Sequence, residues 1–237
     1  MSRWRAWAQD LGLALLPARC LVCGERGVGG QDLCDDCRAA LPWNRSACAR
    51  CALPLPVPAP LCGRCRRAPP PFDGSCAAFR YGFPLDRLLP RLKFHGDLAA
   101  GRLLAELAAE ALAEASRPQL LLPVPLHPAR LRQRGYDQAL ELARPLARAL
   151  DLPLCADHLR RQRATAAQSE LGAPARRRNV RDAFALRPGT LPAHVAVFDD
   201  VMTTGATLSE CCRLLKRAGV VRVDAWAVAR APAPGAG

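Results

Sequence analysis

At 237 residues, half of them apolar, the chain is long enough for one good-sized domain and a small additional module. The formal net charge of +13 is almost all arginine, since Lys93 and Lys216 are the only lysines; this favours nucleic acid, anionic lipid or a polyphosphate ligand without choosing among them. No stretch reaches the roughly 20 apolar residues that crossing a bilayer needs, which speaks against a membrane-spanning protein.

Residues 1–17 are predicted as an amphipathic helix, with Trp4, Trp7, Leu11 and Leu15 on one face. Arg3 and Arg5 precede an apolar run as in a secretory signal, but Asp10 interrupts it, and Leu11 to Ala18 is short and lacks a small-residue cleavage site. The expected location is the cytoplasm. A peripheral position at the inner membrane stays open, because the apolar face suits a membrane surface as well as the protein's own.

Residues 18–68 hold eight of the twelve cysteines, as the pairs Cys20/Cys23, Cys34/Cys37, Cys48/Cys51 and Cys62/Cys65. The second two pairs repeat the spacing of the first two, so the chain carries C-x2-C-x10-C-x2-C twice. Each pair makes a metal-binding knuckle, and two knuckles complete a tetrahedral site of four sulfurs, the kind Zn2+ prefers. A disulfide framework would need an oxidising compartment, for which no export signal speaks. Adjacent knuckles would give two successive ribbons and interleaved ones a cross-brace; the equal separations favour succession. Four thiolates close each site, so the expected role is structural. Arg45, Arg50, Arg64, Arg66 and Arg67 suit a nucleic-acid or protein contact, and equally a solvated face. Cys76, Cys155, Cys211 and Cys212 lack this spacing and read as buried small residues.

RRAPPPFDG (residues 66–74) marks a boundary, and a second domain is expected over 75–231. Strands are predicted at Cys76–Tyr81, Leu120–Val124, Val195–Phe198 and Val221–Val228. Helices are predicted at Leu85–Phe94, Asp97–Ser116, Asp137–Leu150 and Thr207–Ala218. The alternation implies an α/β fold with a parallel sheet flanked by helices, and such sheets bind ligands at the carboxyl ends of their strands.

VAVFDDVMTTGATL (195–208) reads as a strand, a small-residue loop and a helix start. Gly205 and Ala206 let backbone N–H groups approach an anion, the helix N-terminus adds positive dipole, and Thr203, Thr204 and Thr207 supply hydroxyls. Asp199 and Asp200 at the strand end suit hydrogen bonds from the two hydroxyls of a ribose. Neither the Walker pattern nor G-x-G-x-x-G is present. The bland alternative is a Thr-capped strand–turn–helix, against which stands the cost of two adjacent acids without a partner.

VFDDVMTTGAT closely resembles the phosphoribosyl pyrophosphate (PRPP) motif of type I phosphoribosyltransferases. The resemblance implies that Asp199 and Asp200 hold the ribose hydroxyls while Thr203, Thr204, Gly205, Ala206 and Thr207 wrap the 5′-phosphate. PVPLHPARLRQRGYDQ (123–138), KFHGD (93–97), the Gln168, Leu171, Arg176 and Asn179 pattern within 160–180, and the cysteine knuckles together resemble the ComF family of competence-linked proteins over nearly the whole chain. In that family an Asn usually stands where this chain has Asp137, and a carboxylate there would weaken any contact that an amide donates to phosphate.

The resemblance implies a type I phosphoribosyltransferase-like domain carrying an N-terminal double zinc ribbon, and Mg2+ on PRPP oxygens. Arg130 and Arg134 are the candidates for the pyrophosphate, since guanidinium groups pair phosphate oxygens bidentately; solvent-facing helix arginines are the plain alternative. The arginine-dense 160–181 segment reads as a loop, either a hood over the site or a nucleic-acid contact. His95, His127, His158 and His194 show no metal spacing. No glutaminase segment is present, which speaks against glutamine-dependent transfer. Two readings follow. One is a PRPP-binding protein of DNA uptake, meeting single-stranded DNA and an uptake helicase or other competence proteins, with phosphoribosyl transfer as an added activity. The other is a phosphoribosyltransferase of nucleotide metabolism with an unidentified acceptor and no DNA role.

Overall fold

The computed structural model describes residues 18–163 and 180–232. The expected helix over 1–17, most of the 160–181 segment and the end of the chain therefore lie outside the described residues. Four strands, β1 (Gly74–Arg80), β2 (Leu120–Pro123), β5 (His194–Met202) and β6 (Arg222–Arg230), form one parallel sheet in the order β1-β6-β5-β2. Two shorter strands, β3 (Leu159–Arg161) and β4 (Phe184–Leu186), pair antiparallel beside it. The long 160–181 loop of the sequence reading thus begins in strand rather than coil. Strands of three residues carry little periodicity, and pairing decides them.

Alternation along the strands sorts side chains to two faces. On one face, Ala196 and Phe198 of β5 and Trp226 and Val228 of β6 pack with α3 (Leu85–His95), α4 (Leu98–Leu112) and α6 (Gln138–Ala149). On the other, Val195, Val197, Ala225 and Ala227 pack with α7 (Ala206–Arg217). The helix α5 (Pro128–Arg134), absent from the sequence reading, follows β2; Pro128 sits in its first turn and Gly135 closes it in the left-handed conformation.

The two cysteine quartets straddle the sheet edge. Each begins in a turn and ends in a five-residue helix, α1 (Asp35–Ala39) or α2 (Gly63–Arg67). Between them residues 42–44 run antiparallel to β1, with Asn44 N–H donating to Ala78 O at 2.9 Å and Arg80 N–H to Pro42 O at 2.8 Å. The far edge is covered by residues 153–155, which exchange bonds with Leu121 of β2. Both outer edges of the sheet are thus occupied by the chain's own backbone, which blunts them as templates for pairing with another chain. The first quartet packs on the α3–α4 face and the second on the α7 face.

Candidate functional site

The sulfurs of Cys20, Cys23, Cys34 and Cys37 converge within 4.8 Å of one another, and so do those of Cys48, Cys51, Cys62 and Cys65. Adjacent knuckles therefore pair, giving two successive ribbons. Sγ···Sγ separations of 3.6 Å (Cys23–Cys34) and 3.7 Å (Cys51–Cys62) match the tetrahedron edge of about 3.8 Å that Zn–S bonds of about 2.3 Å impose. They are far beyond the roughly 2.05 Å of a disulfide. The residues fit zinc. Burial works to raise the Cys20 and Cys48 thiols, but backbone N–H groups outweigh it and bring them down to about 6 and about 7. Burial and the neighbouring thiols push Cys37 and Cys65 the other way, so one thiol of each quartet ionises readily while the last protons leave only to a metal. These are two structural zinc-binding sites of four cysteines each, with no position left for water or substrate.

At the carboxyl end of the sheet, β5 does not stop at Phe198. It runs through both acids, with Asp199 opposite Ala227 and Met202 opposite Arg230 of β6. The acids therefore point to opposite faces, as successive strand residues must. Asp200, 6 % exposed, lies on the α3 side, where Lys93 Nζ meets its Oδ2 at 3.2 Å. Burial opposes its ionisation, but the Lys93 charge prevails and holds the carboxyl below its ordinary range. The same pairing raises Lys93. Asp199 is on the α7 side and goes the other way: burial and the negative charge of Asp200 push it well above the usual carboxylate range.

Beyond Met202 the chain turns through Thr203 and Thr204. Gly205, at φ +73°, serves as the N-cap of α7. A Cβ there would meet nothing closer than 3.8 Å, so glycine is required by the left-handed backbone rather than by space. The hydroxyl of Thr204 accepts from Ala206 N–H at 3.3 Å. Asp199, Asp200 and the 203–207 turn are thus contiguous at one strand end and lead into the N-terminus of α7.

Arg130 and Arg134 lie one helical step apart on α5, both half-buried. Arg134 donates to Gln138 Oε1, covers the exposed Phe94 ring at 5.7 Å, and its charge reaches Lys93. The charge of Arg130 is felt by Arg161 of β3, a nearly buried guanidinium stacked on Phe184 at 5.3 Å and drawn to Asp199 and Asp137. The structure thus brings the two α5 arginines, Lys93 and Arg161 around the acid pair. Sequence reasoning assigns Lys93 and Arg161 no role, although both lie in segments it singles out.

Asp137 is engaged by the backbone. Both of its oxygens accept from backbone: Oδ2 from Leu126 N–H at 2.7 Å, and Oδ1 from Ala139 and Leu140 N–H, capping α6. An asparagine has only one acceptor oxygen for these three donors, so the carboxylate orders the loop after β2 better than the amide would.

Arg230, 3 % exposed, also lies outside the sequence reading. Its Nε donates to Cys51 O of the second ribbon at 2.9 Å, while Nη1 donates to Met202 O at 2.9 Å and to the carbonyls of Thr203 and Ala231.

Comparison with known proteins agrees with this anatomy. Residues 12–77 match the family model of the double zinc ribbon domain. The chain is 35% identical over 223 residues to Competence protein F of Haemophilus influenzae, spanning 90% of this chain and 97% of that one. It is 33% identical over 222 residues to DNA utilization protein YhgH of Salmonella typhimurium, spanning 91% and 98%. Competence protein ComFC of Streptococcus pneumoniae matches at 28% over 156 residues, 65% of this chain and 67% of that one. A solved structure described as that of the allosteric regulatory enzyme of purine biosynthesis overlaps at TM-score 0.37 and 19% identity, over 54% of this chain and 25% of that one. Among the described residues no helix is long and apolar enough to cross a membrane. With two closed four-cysteine ribbons on an α/β domain and identity of this extent over nearly its full length, the chain belongs to the competence protein F (ComF) family.

Proposed function

We propose that the strand end of β5 binds phosphoribosyl pyrophosphate with Mg2+, and that the protein acts in DNA uptake as the names of its relatives suggest. The observation that carries the ligand is the run Asp199–Asp200–loop–Gly205–α7 N-terminus, in which two acids lead directly into a turn suited to a phosphate. In this reading Asp199 and Asp200 take the ribose hydroxyls, Thr203 to Thr207 the 5′-phosphate, and Arg130 and Arg134 the pyrophosphate. The residues fit a magnesium complex, because two carboxyl groups, hard oxygen donors, stand in succession at the strand end with Lys93 paired to Asp200. Bound Mg2+ would supply charge compensation for the pyrophosphate. Phosphoribosyl transfer needs positioning and charge stabilisation rather than a protein nucleophile, so the same geometry supports turnover once an acceptor is present.

Calorimetry with Mg2+ and PRPP tests the ligand. The parent protein should release or absorb binding heat, and Asp199→Ala/Asp200→Ala should abolish it; a silent parent protein overturns the assignment. A single-stranded DNA titration across salt separates the two physiological readings. A steep loss of affinity with salt is expected if the basic surface meets DNA phosphates, and no binding at low salt would favour a nucleotide-metabolism enzyme.

A further inference from the structure

The second ribbon is built into the ligand loop, whereas the first is not. One buried guanidinium makes most of the connection. Arg230 sits at the end of β6 and is hydrogen-bonded to the carbonyl of a zinc-ligating cysteine, Cys51, and to the carbonyls of Met202 and Thr203, where β5 passes into the loop. Two further contacts run the same way. Arg64, between the ligands Cys62 and Cys65, reaches Thr204 O at 3.5 Å, and the Phe72 ring lies beside the position a Cβ would take at Gly205. All of the acceptors named for Arg230 are carbonyls, which leave its buried charge unbalanced. Zinc held by four thiolates carries a net charge of about −2, and supplies the missing counter-charge. Without the metal no comparable charge is held there.

We propose that Arg230 is a positioning residue that clamps the phosphate loop to the second zinc ribbon, so that metal at Cys48, Cys51, Cys62 and Cys65 sets the geometry of the ligand site, whereas metal at the first cluster does not. The clamp fixes the carbonyls of residues 202 and 203, and with them the path of the chain into the turn. The first ribbon has an analogous tie, from Arg91 Nη1 to Leu21 O at 2.7 Å, but it ends on α3 and touches no part of the loop. The proposal rests on the PRPP reading only for the identity of the ligand, not for the clamp.

Hydrogen–deuterium exchange of residues 202–207 in the ligand-free protein tests it, with zinc measured alongside. Arg230→Gln should keep two zinc ions per chain, one for each cluster, yet exchange its loop amides at least about tenfold faster. Arg230→Lys, which keeps the charge but not the fork of donors, should fall between. Arg91→Gln should leave loop exchange unchanged. The proposal is overturned if Arg230→Gln leaves loop exchange within about twofold of the parent, or if Arg91→Gln accelerates it equally. Should Arg230→Gln fail to fold, a Cys23→Ser protein, expected to keep only the second zinc, decides: chelation must free the loop while the amides of β5 and β6 stay protected, and a loop unchanged after metal loss, or one freed only together with those strands, refutes the clamp. Calorimetry adds a second arm, in which Arg230→Gln should weaken Mg2+–PRPP about tenfold. If the parent protein takes no PRPP, the ligand assignment fails while exchange still decides the clamp.

Discussion

The two ribbons share a spacing and differ in surroundings. In the first, Cys23 is exposed and the module is fastened to helices by charged side chains, Arg38 to Glu110 at 2.7 Å and Arg102 to Asp32 at 3.5 Å. In the second, all four cysteines are buried and belong to the same apolar cluster as the α7 face of the sheet. One motif thus yields a half-exposed quartet that reaches one core cluster through Cys20, and a quartet wholly within the other. Surface ion pairs contribute about 0–1 kcal/mol each, whereas buried groups are felt by everything packed on them. The same division runs through the acid pair, since Asp200 shares its face with the first ribbon and Asp199 with the second.

The largest expected effect follows from this asymmetry. Cys65→Ser removes a buried ligand of the second cluster and should cost several kcal/mol or leave the chain insoluble. Cys23→Ser, at an exposed ligand, should release one zinc with a smaller loss of thermal stability. Equal losses in paired melting curves with zinc analysis would show that both ribbons are built into the core alike.

Next in size is Lys93→Met on the first face. It leaves Asp200 buried without its cation, and should cost about 1–2 kcal/mol near neutral pH once the partial exposure of Lys93 is allowed for. The sign is set by the depressed Asp200 carboxyl: its contribution is present above the ordinary carboxylate range and is lost as pH falls through the lower folded-state value. The cost should therefore shrink in acid, and a cost independent of pH would detach Lys93 from Asp200. Arg91→Gln should cost about 1 kcal/mol, through the lost ties to Leu21 and Asp97, read by denaturant unfolding. A larger loss than that of Lys93→Met would rank the first ribbon's tie above the acid pair.

What the sequence discloses tracks what period and spacing can encode. Cysteine spacing fixes ligand sets because a knuckle is local, and apolar runs locate the sheet strands because burial is repetitive. Partnership across the fold leaves no such mark. The strand at Val195 is expected to end before Asp199, since two acids after an apolar run look like a loop; pairing with β6 carries it on to Met202. Arg230 lies just beyond a strand predicted to end at Val228, among 34 basic residues, and nothing in that crowd singles it out. Lys93 has a faint signal, as one of two lysines in an arginine-dominated chain. The α5 helix carries a legible signal that the strand–helix pattern overlooks, for Pro128 and Gly135 mark its ends in the usual way.

The smallest expected effect is also the one of opposite sign. Asp199 draws on Arg161 and on the Lys93 charge that Asp200 holds, yet burial together with Asp200 raises its carboxyl well above the ordinary range. In acid, both folded and unfolded chains hold that proton, and Asp199→Asn should be neutral. As pH rises past about 3.9, the unfolded chain ionises first, so the native state loses relative stability until its own raised value is passed. Asp199→Asn escapes that loss and should stabilise the protein by about 1 kcal/mol at neutral pH, with little gain near pH 4. The proton also opposes a magnesium-bound sugar phosphate, so PRPP affinity in the parent protein should rise with pH through the same window, with proton release visible as a buffer-dependent heat. A stabilisation that persists at pH 4, or an affinity flat across that window, would mean that Asp199 is already ionised in the free protein, and the two faces of the sheet would then be electrostatically alike.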